Sequence, residues 1–216
     1  MLSRVHTDHV ATKSLRWGAS AAADGRSGRD RLLDAAERCL EVQGLAGTTM
    51  EDIARNAGVS RATVYRYFAS REAVISGVII RATEEYLRRM EPRLSGHSDL
   101  GSAIVDFIDH TVIAARRRPI IGVLFGSDRE LAGVGLAEGT STMLFELVTE
   151  FLRPLFATHW NQLAPGVSVD DAAEWILRTV LSLLTVRGPR DRSRDGLRTY
   201  LQRLLLPAIV SGQDAT

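Results

Sequence analysis

Along most of the chain, apolar residues recur three and four positions apart, which predicts a succession of amphipathic helices and an all-α fold. The first runs from about Arg29 to Gln43, with Leu32, Leu33, Ala36, Cys39 and Leu40 on its inner side and Gly44 as its stop. Met50, Ile53, Ala54 and Ala57 mark a second helix ended by Gly58, and Val64 and Phe68 anchor a short third. A long fourth helix follows, capped by Ser70, carrying Val74, Val78, Ala82, Tyr86 and Met90 at four-residue steps and halted by Pro92. Before these helices, Met1 to Ser27 shows no sustained periodicity and reads as a flexible arm. Such arms can reach a DNA minor groove, although a plain tail is the simpler reading.

The second half of the chain is patterned more coarsely. Leu100 to Arg117 is one amphipathic helix, stopped before Pro119, with Arg116 to Arg118 at its negative end. Ile120 to Phe125 reads as an apolar turn of helix and Gly126 to Gly139 as a loop. The loop's GVGLAEG resembles a nucleotide-binding turn only superficially, since no strand precedes it. Thr140 to about Trp160 is a further helix, bent at Pro154. Asp170 to Val186 opens with acids and is apolar on more than one side, so it must be covered twice. Leu197 to Val210 is spaced to pair with it, and with symmetry copies of both, in a four-helix bundle. The charged segment GPRDRSRDG joins the two.

The most specific stretch is Thr48 to Arg71, TTMEDIARNAGVSRATVYRYFASR. Thr48 or Thr49 can cap a helix, with Glu51 or Asp52 completing the capping box. Gly58 can enter the left-handed region that closes that helix. Ser60 caps the next at once, and Val59 can staple to Val64. Two short helices across a tight glycine turn form a helix-turn-helix. From Ile53 to Arg71 there are four arginines, Arg55, Arg61, Arg66 and Arg71, and no acidic residue, although the whole chain has a net charge of only +1. Arginine forks suit guanine edges, and Tyr and Thr hydroxyls suit phosphate oxygens, so double-stranded DNA is the expected partner. The plainer alternative makes Tyr65 and Tyr67 core aromatics and the arginines a solvated face.

These residues resemble the tetracycline-repressor (TetR) family of bacterial transcription regulators. The family's run is a Thr-capped helix, Ile-Ala-x-x-Ala-Gly-Val-Ser, then x-x-x-hydrophobic-Tyr-x-Tyr/His-Phe, a small polar pair, a basic residue and Glu. Here it stands as IARNAGVS, RATVYRYF, AS and RE. The match covers Gly28 to about Met90, and the remainder agrees only in length and helical character. Ala62 stands where Gly is frequent and Arg71 where Lys is commoner, departures that keep the chemistry but alter base preference. The resemblance implies base-edge contacts from Arg61, Ala62 and Thr63, and phosphate contacts from Thr49, Tyr65, Tyr67 and Arg71. It implies a DNA-binding domain over residues 28–90 and an effector-binding and dimerisation domain over 91–216. A homodimer would bind a pseudo-palindromic operator, and a small molecule would release it by reorienting the fourth helices.

Composition limits the rest. With 216 residues, 45% of them hydrophobic, the chain has ample core. At net charge +1 no global field draws it to nucleic acid, so affinity must come from the local basic patch. The single Cys39 fits a buried structural thiol in a reducing, cytoplasmic setting. No run approaches the roughly 18 apolar residues of a membrane span, and the opening residues lack the apolar core of a secretory signal. The C-terminal residues are overwhelmingly apolar, so the expected effector is hydrophobic. Asp106, His110, Glu146 and Trp175 are its candidate polar or aromatic contacts, against the reading that they are ordinary surface or core residues. No cofactor, metal or catalytic group is expected: the five His are scattered, and neither Glu-x-x-His nor G-x-S-x-G occurs. The rivals are an effector-free DNA-organising protein of the same fold and a helical enzyme.

Overall fold

The computed structural model describes residues 27–117, 138–186, 188–190 and 192–211. Among these the chain forms helices α1 (Gly28–Gly47), α2 (Met50–Ala57), α3 (Arg61–Tyr67), α4 (Arg71–Leu94) and α5 (Leu100–Arg117), then α6 (Glu138–Thr158), α7 (Val169–Thr185) and α8 (Arg194–Leu204). Short 3₁₀ turns at Trp160–Gln162 and Leu206–Ala208 follow α6 and α8. Their ends meet in an isolated antiparallel bridge between Leu163 and Val210. The arm over residues 1–26 and the expected turn at Ile120 to Phe125 lie outside the described residues, as does most of the glycine-rich loop.

Helix starts follow local side-chain chemistry. Ser27, Thr49, Ser60, Ser70, Ser168 and Ser193 each accept from a backbone amide of the first turn they precede, satisfying a donor the helix cannot. The stops differ from the expected ones in three places. Gly44 does break α1, with φ 70° and ψ −177°, but a further turn to Gly47 follows. Buried Leu45 and the Thr48 hydroxyl, donating to the Gly44 carbonyl at 2.8 Å, hold that turn. Pro92 does not halt α4, which runs on to Leu94. A proline costs a helix its bond and clearance to the turn behind it, and only the last few residues lie beyond this one. α8 ends at Leu204, and the expected run to Val210 tightens into a 3₁₀ turn around Pro207.

Buried side chains form one continuous cluster from Leu32 to Ile209. α1 packs on α4 and on α2, and α2 on α3; α5 and α6 also pack on α4, α7 packs on α5 and α6, and α8 on α5. Cys39 is buried in α1, and burial pushes its thiol pKa up. The first half of α4 is held closely: a Cβ on Gly77 would lie 2.9 Å from Leu33 Cδ2 and 3.2 Å from Phe68 Cε1. Arg81 pairs with Asp34 at 2.6 Å and with Glu37 at 2.9 Å, both on α1. α4 is thus a single rod with one end fastened to the helix-turn-helix and the other inside the C-terminal helices.

Candidate functional site

The helix-turn-helix forms by the local devices its sequence contains. Thr49 and Asp52 make a reciprocal capping box at the start of α2. Gly58 closes that helix at φ 68° and ψ 34°, and Ser60 opens α3, accepting from the Thr63 amide at 3.2 Å. Val64 and Phe68 turn inward, at 0% and 4% exposure, which leaves Arg61, Ala62, Tyr65, Arg66 and Tyr67 on the outer face. Tyr65 and Tyr67 are 42% and 39% exposed, so neither is a core aromatic. Arg61 Nη2 donates to the Tyr65 hydroxyl at 3.1 Å, and its guanidinium carbon lies 5.3 Å from that ring centroid. Arg66 stands at the same 5.3 Å over Tyr67. Two guanidinium groups are therefore laid across aromatic faces, which limits the side-chain freedom lost when they bind.

The other two arginines of the acid-free stretch are engaged elsewhere. Arg55 pairs with Asp52 at 3.0 Å. Arg71 donates Nε to the Thr48 carbonyl at 2.7 Å and Nη2 to the Leu45 carbonyl, and only 24% of its side chain is exposed. Its fork caps the end of α1, because the last carbonyls of α1 lack partners inside the helix. The Thr49 hydroxyl donates to Asp52 Oδ2 at 2.5 Å, so as folded it has no proton to offer a phosphate. Thr63 is half-buried beside its cap Ser60, the two hydroxyl oxygens 3.0 Å apart.

A second feature lies along the far half of α4. Ala82, Thr83, Tyr86 and Leu87 of α4, Phe107, Thr111, Ala114 and Ala115 of α5, Leu144 and Val148 of α6, and Leu177, Val180, Leu181 and Leu184 of α7 enclose about 720 Å³ of space, part of it open to solvent. Among the described residues no charged side chain lines it. Among the described lining residues its polar side-chain groups are three hydroxyls, those of Thr83, Tyr86 and Thr111. The Tyr86 oxygen lies 2.8 Å from Thr111 Oγ1. Burial, the largest cause, pushes the Tyr86 pKa up to about 12, so the phenol stays neutral.

Comparison with known proteins agrees with the geometry. The model of bacterial regulatory proteins of the TetR family matches residues 32–78, the span from α1 into α4. The uncharacterized HTH-type transcriptional regulator Rv1255c of Mycobacterium tuberculosis is 31% identical over 86% of this chain and 87% of its own. The chain belongs to the TetR family. It is a transcriptional regulator. Among solved structures it is similar to the TetR-family repressor AlkX from a Dietzia species, implicated in biodegradation of n-alkanes, at TM-score 0.64 and 23% identity over 84% of this chain and 94% of that one. It is also similar to NalD, the secondary repressor of the MexAB-OprM multidrug efflux pump in Pseudomonas aeruginosa, at TM-score 0.55 and 24% identity over 86% and 96%.

In this TetR-family chain the four residues expected at an effector pocket do not line the cavity. Asp106 and His110 belong to an ion cluster on another face of α5. Asp106, 3% exposed, accepts from Arg93 Nε at 2.5 Å and Nη2 at 3.0 Å; His97 Nε2 stands 3.2 Å from it and Arg198 Nη1 3.4 Å. Burial pushes its pKa up, but the hydrogen bonds from Arg93 and His97 and the charges of Arg93 and His110 outweigh it and hold the carboxyl well below the usual range. Asp109, fully buried, accepts from Arg194 at 2.7 Å and Arg198 at 3.2 Å. Asp106, Asp109 and His110 offer ligand atoms within 4.8 Å of one another, a metal-like spacing. Guanidinium groups hold both Asp106 oxygens and Asp109 Oδ2, tying the end of α4 to α5 and α8, while the buried Asp109 Oδ1 has no hydrogen-bond partner among the described residues. Glu146 and Trp175 point away from the cavity, Trp175 being 49% exposed. Polar or aromatic character selected these four, whereas the described lining is apolar side chains with three hydroxyls among them. The recurrence of Ala82 and Tyr86 at four-residue steps along the fourth helix was the available signal.

Among the described residues no helix is long and apolar enough to cross a membrane.

Proposed function

We propose that this regulator is a homodimeric repressor that holds two α3 helices in successive major grooves of a pseudo-palindromic operator, about 34 to 36 Å apart. The observation carrying the proposal is the outer face of α3, where Arg61 and Arg66 lie across exposed Tyr65 and Tyr67 with no acidic side chain on the helix. Arg61, Ala62 and Thr63 read base edges, and Tyr65 and Tyr67 donate to phosphates on either side. Arg71 seats α4, and its charge adds to the patch without a free fork. The dimer forms through α7 and α8, where Trp175 and Leu204, 49% and 65% exposed, leave apolar surface uncovered.

The cavity is the effector site. α4 supplies part of its wall and also the seat of α3, so a ligand that shifts the second half of α4 changes the spacing of the two α3 helices. A coupling of about 1 to 3 kcal/mol gives a 5- to 150-fold change in operator affinity. AlkX, a repressor implicated in biodegradation of n-alkanes, and NalD, a repressor of an efflux pump, share the fold.

Selection from a randomised duplex library, followed by footprinting, tests the DNA reading: two symmetric half-sites are expected, and no enriched duplex would refute it. Sedimentation showing a monomer at micromolar concentration would refute the dimer. A thermal-shift screen of small apolar metabolites tests the effector, since a ligand at a hundred times its dissociation constant adds about 2.7 kcal/mol of stability.

A further inference from the structure

The proton ledger of the three cavity hydroxyls sets the chemistry of what can occupy the cavity. A threonine hydroxyl has one proton and two lone pairs. The Thr111 proton goes to the Phe107 carbonyl, at 2.6 Å, and the Thr83 proton to the Ile79 carbonyl, at 2.9 Å. Both are bonds back into the helix that bears the residue. With Thr111's proton committed, the 2.8 Å contact between Tyr86 and Thr111 must use the phenol's proton, so Tyr86 donates and Thr111 accepts. The protons of all three hydroxyls described on the cavity wall are therefore committed inside the protein. What remains toward the cavity is lone pairs: those of the Tyr86 oxygen foremost, and those of Thr83.

A wall of this kind discriminates by sign. A carboxylate or phosphate entering it would lose its hydration and, among the described lining residues, meet acceptor oxygens and hydrocarbon, with no Arg, Lys or His there to compensate. The neutral Tyr86 phenol cannot supply a second proton. A wholly apolar molecule would fit the hydrocarbon but leave the lone pairs of the Tyr86 oxygen desolvated without a donor. A neutral molecule with one hydroxyl or N–H satisfies both conditions. Resting on the reading of this cavity as the effector site, we infer that the effector is an uncharged, largely apolar molecule presenting a single hydrogen-bond donor to the Tyr86 oxygen, and is not an organic acid or its phosphorylated or thioester-linked conjugates.

Three probes sharing one ring system separate the terms: 2-naphthol, neutral with a donor; 2-methoxynaphthalene, neutral without one; and 2-naphthoate, an anion. Binding is measured by calorimetry and thermal shift on the full-length protein, on Tyr86→Phe, and on cavity-filled controls Ala114→Phe and Leu181→Trp. The expected order is 2-naphthol tightest, the ether weaker by about 2- to 12-fold, and the naphthoate weaker by more than about 100-fold. In Tyr86→Phe the preference for 2-naphthol over the ether should vanish while the naphthoate remains excluded. Naphthoate or ether binding as tightly as 2-naphthol, or a donor preference that survives Tyr86→Phe, overturns the inference and leaves the effector site standing. If all three probes bind the full-length protein no better than the cavity-filled controls, the effector site and the inference fall together.

Discussion

The outer face of α3 and the cavity beside the second half of α4 are opposites built on one rod. The first is convex, exposed and cationic, with guanidinium groups spread over tyrosine rings. The second is concave and apolar, and its hydroxyls turn their protons back into the protein. One suits a polyanion and the other rejects anions. On the proposed reading, that opposition lets a DNA-binding regulator carry a small-molecule site without the two competing for ligands. α4 belongs to both, through Gly77 and Arg81 at one end and Tyr86 and Leu87 at the other.

Breaking the seat between α3 and α4 should have the largest effect. Phe68 is 4% exposed, and Gly77 exists in close contact with its ring. Phe68→Ala should cost about 3 to 5 kcal/mol in urea unfolding and abolish operator binding; an unchanged midpoint would mean that the recognition helix is seated by something else.

The ion cluster at the far end of the rod comes next. Asp106→Asn should cost about 1.5 to 3 kcal/mol at neutral pH, the loss of charge-assisted hydrogen bonds to half-exposed arginines. Because folding lowers the Asp106 pKa, its contribution is present above the unfolded value and is lost as pH falls below about 4. Wild type and Asp106→Asn should therefore converge in stability in acid, and a gap constant with pH would exclude the carboxylate as its source.

Arg71 tests the boundary between structure and contact. If it seats α4, Arg71→Ala should lower stability by about 1.5 to 3 kcal/mol in the absence of DNA. Full stability, with a salt slope of operator binding reduced by about one, would instead make it a phosphate ligand.

On the exposed face the effects are confined to DNA. Arg61→Ala should relax base preference at one operator position by about 5- to 150-fold, whereas Tyr67→Phe should weaken all sequences alike. An unchanged footprint for the first, or a changed base preference for the second, would reverse the assignments. The smallest change is Tyr86→Phe, about 0.5 to 1.5 kcal/mol for one neutral hydrogen bond. Burial, the largest cause, raises the Tyr86 pKa to about 12, so the stability gained by burying the neutral phenol is present below about pH 10 and is lost as pH rises towards 12. The variant should lack that alkaline component in its stability profile.

The two regions also differ in how far the sequence revealed them. Every device of the helix-turn-helix lies within a few residues of its partner: Thr49 with Asp52, Gly58 after Ala57, Ser60 with Thr63. Caps and turns act over one helical turn, so twenty-odd consecutive residues were enough to read them and the outward face of α3. The same local grammar misplaced the ends of α1, α4 and α8, because tertiary packing carried those helices past Gly44 and Pro92 or cut α8 short near Pro207.

By itself, then, the order of residues determined the helices, the turn between α2 and α3, and which side chains of α3 face away from the core, since hydrogen bonds and periodicity over three or four residues decide those. Only the tertiary structure decided that Arg71 turns inward, that Asp106 and His110 join a cluster with Arg93 and Arg198, and that the cavity falls to Tyr86, Thr111 and their apolar neighbours on four helices. Those outcomes depend on which helix faces lie opposite one another across long stretches of chain, where the free energy of packing, and not the neighbouring residue, selects the partner.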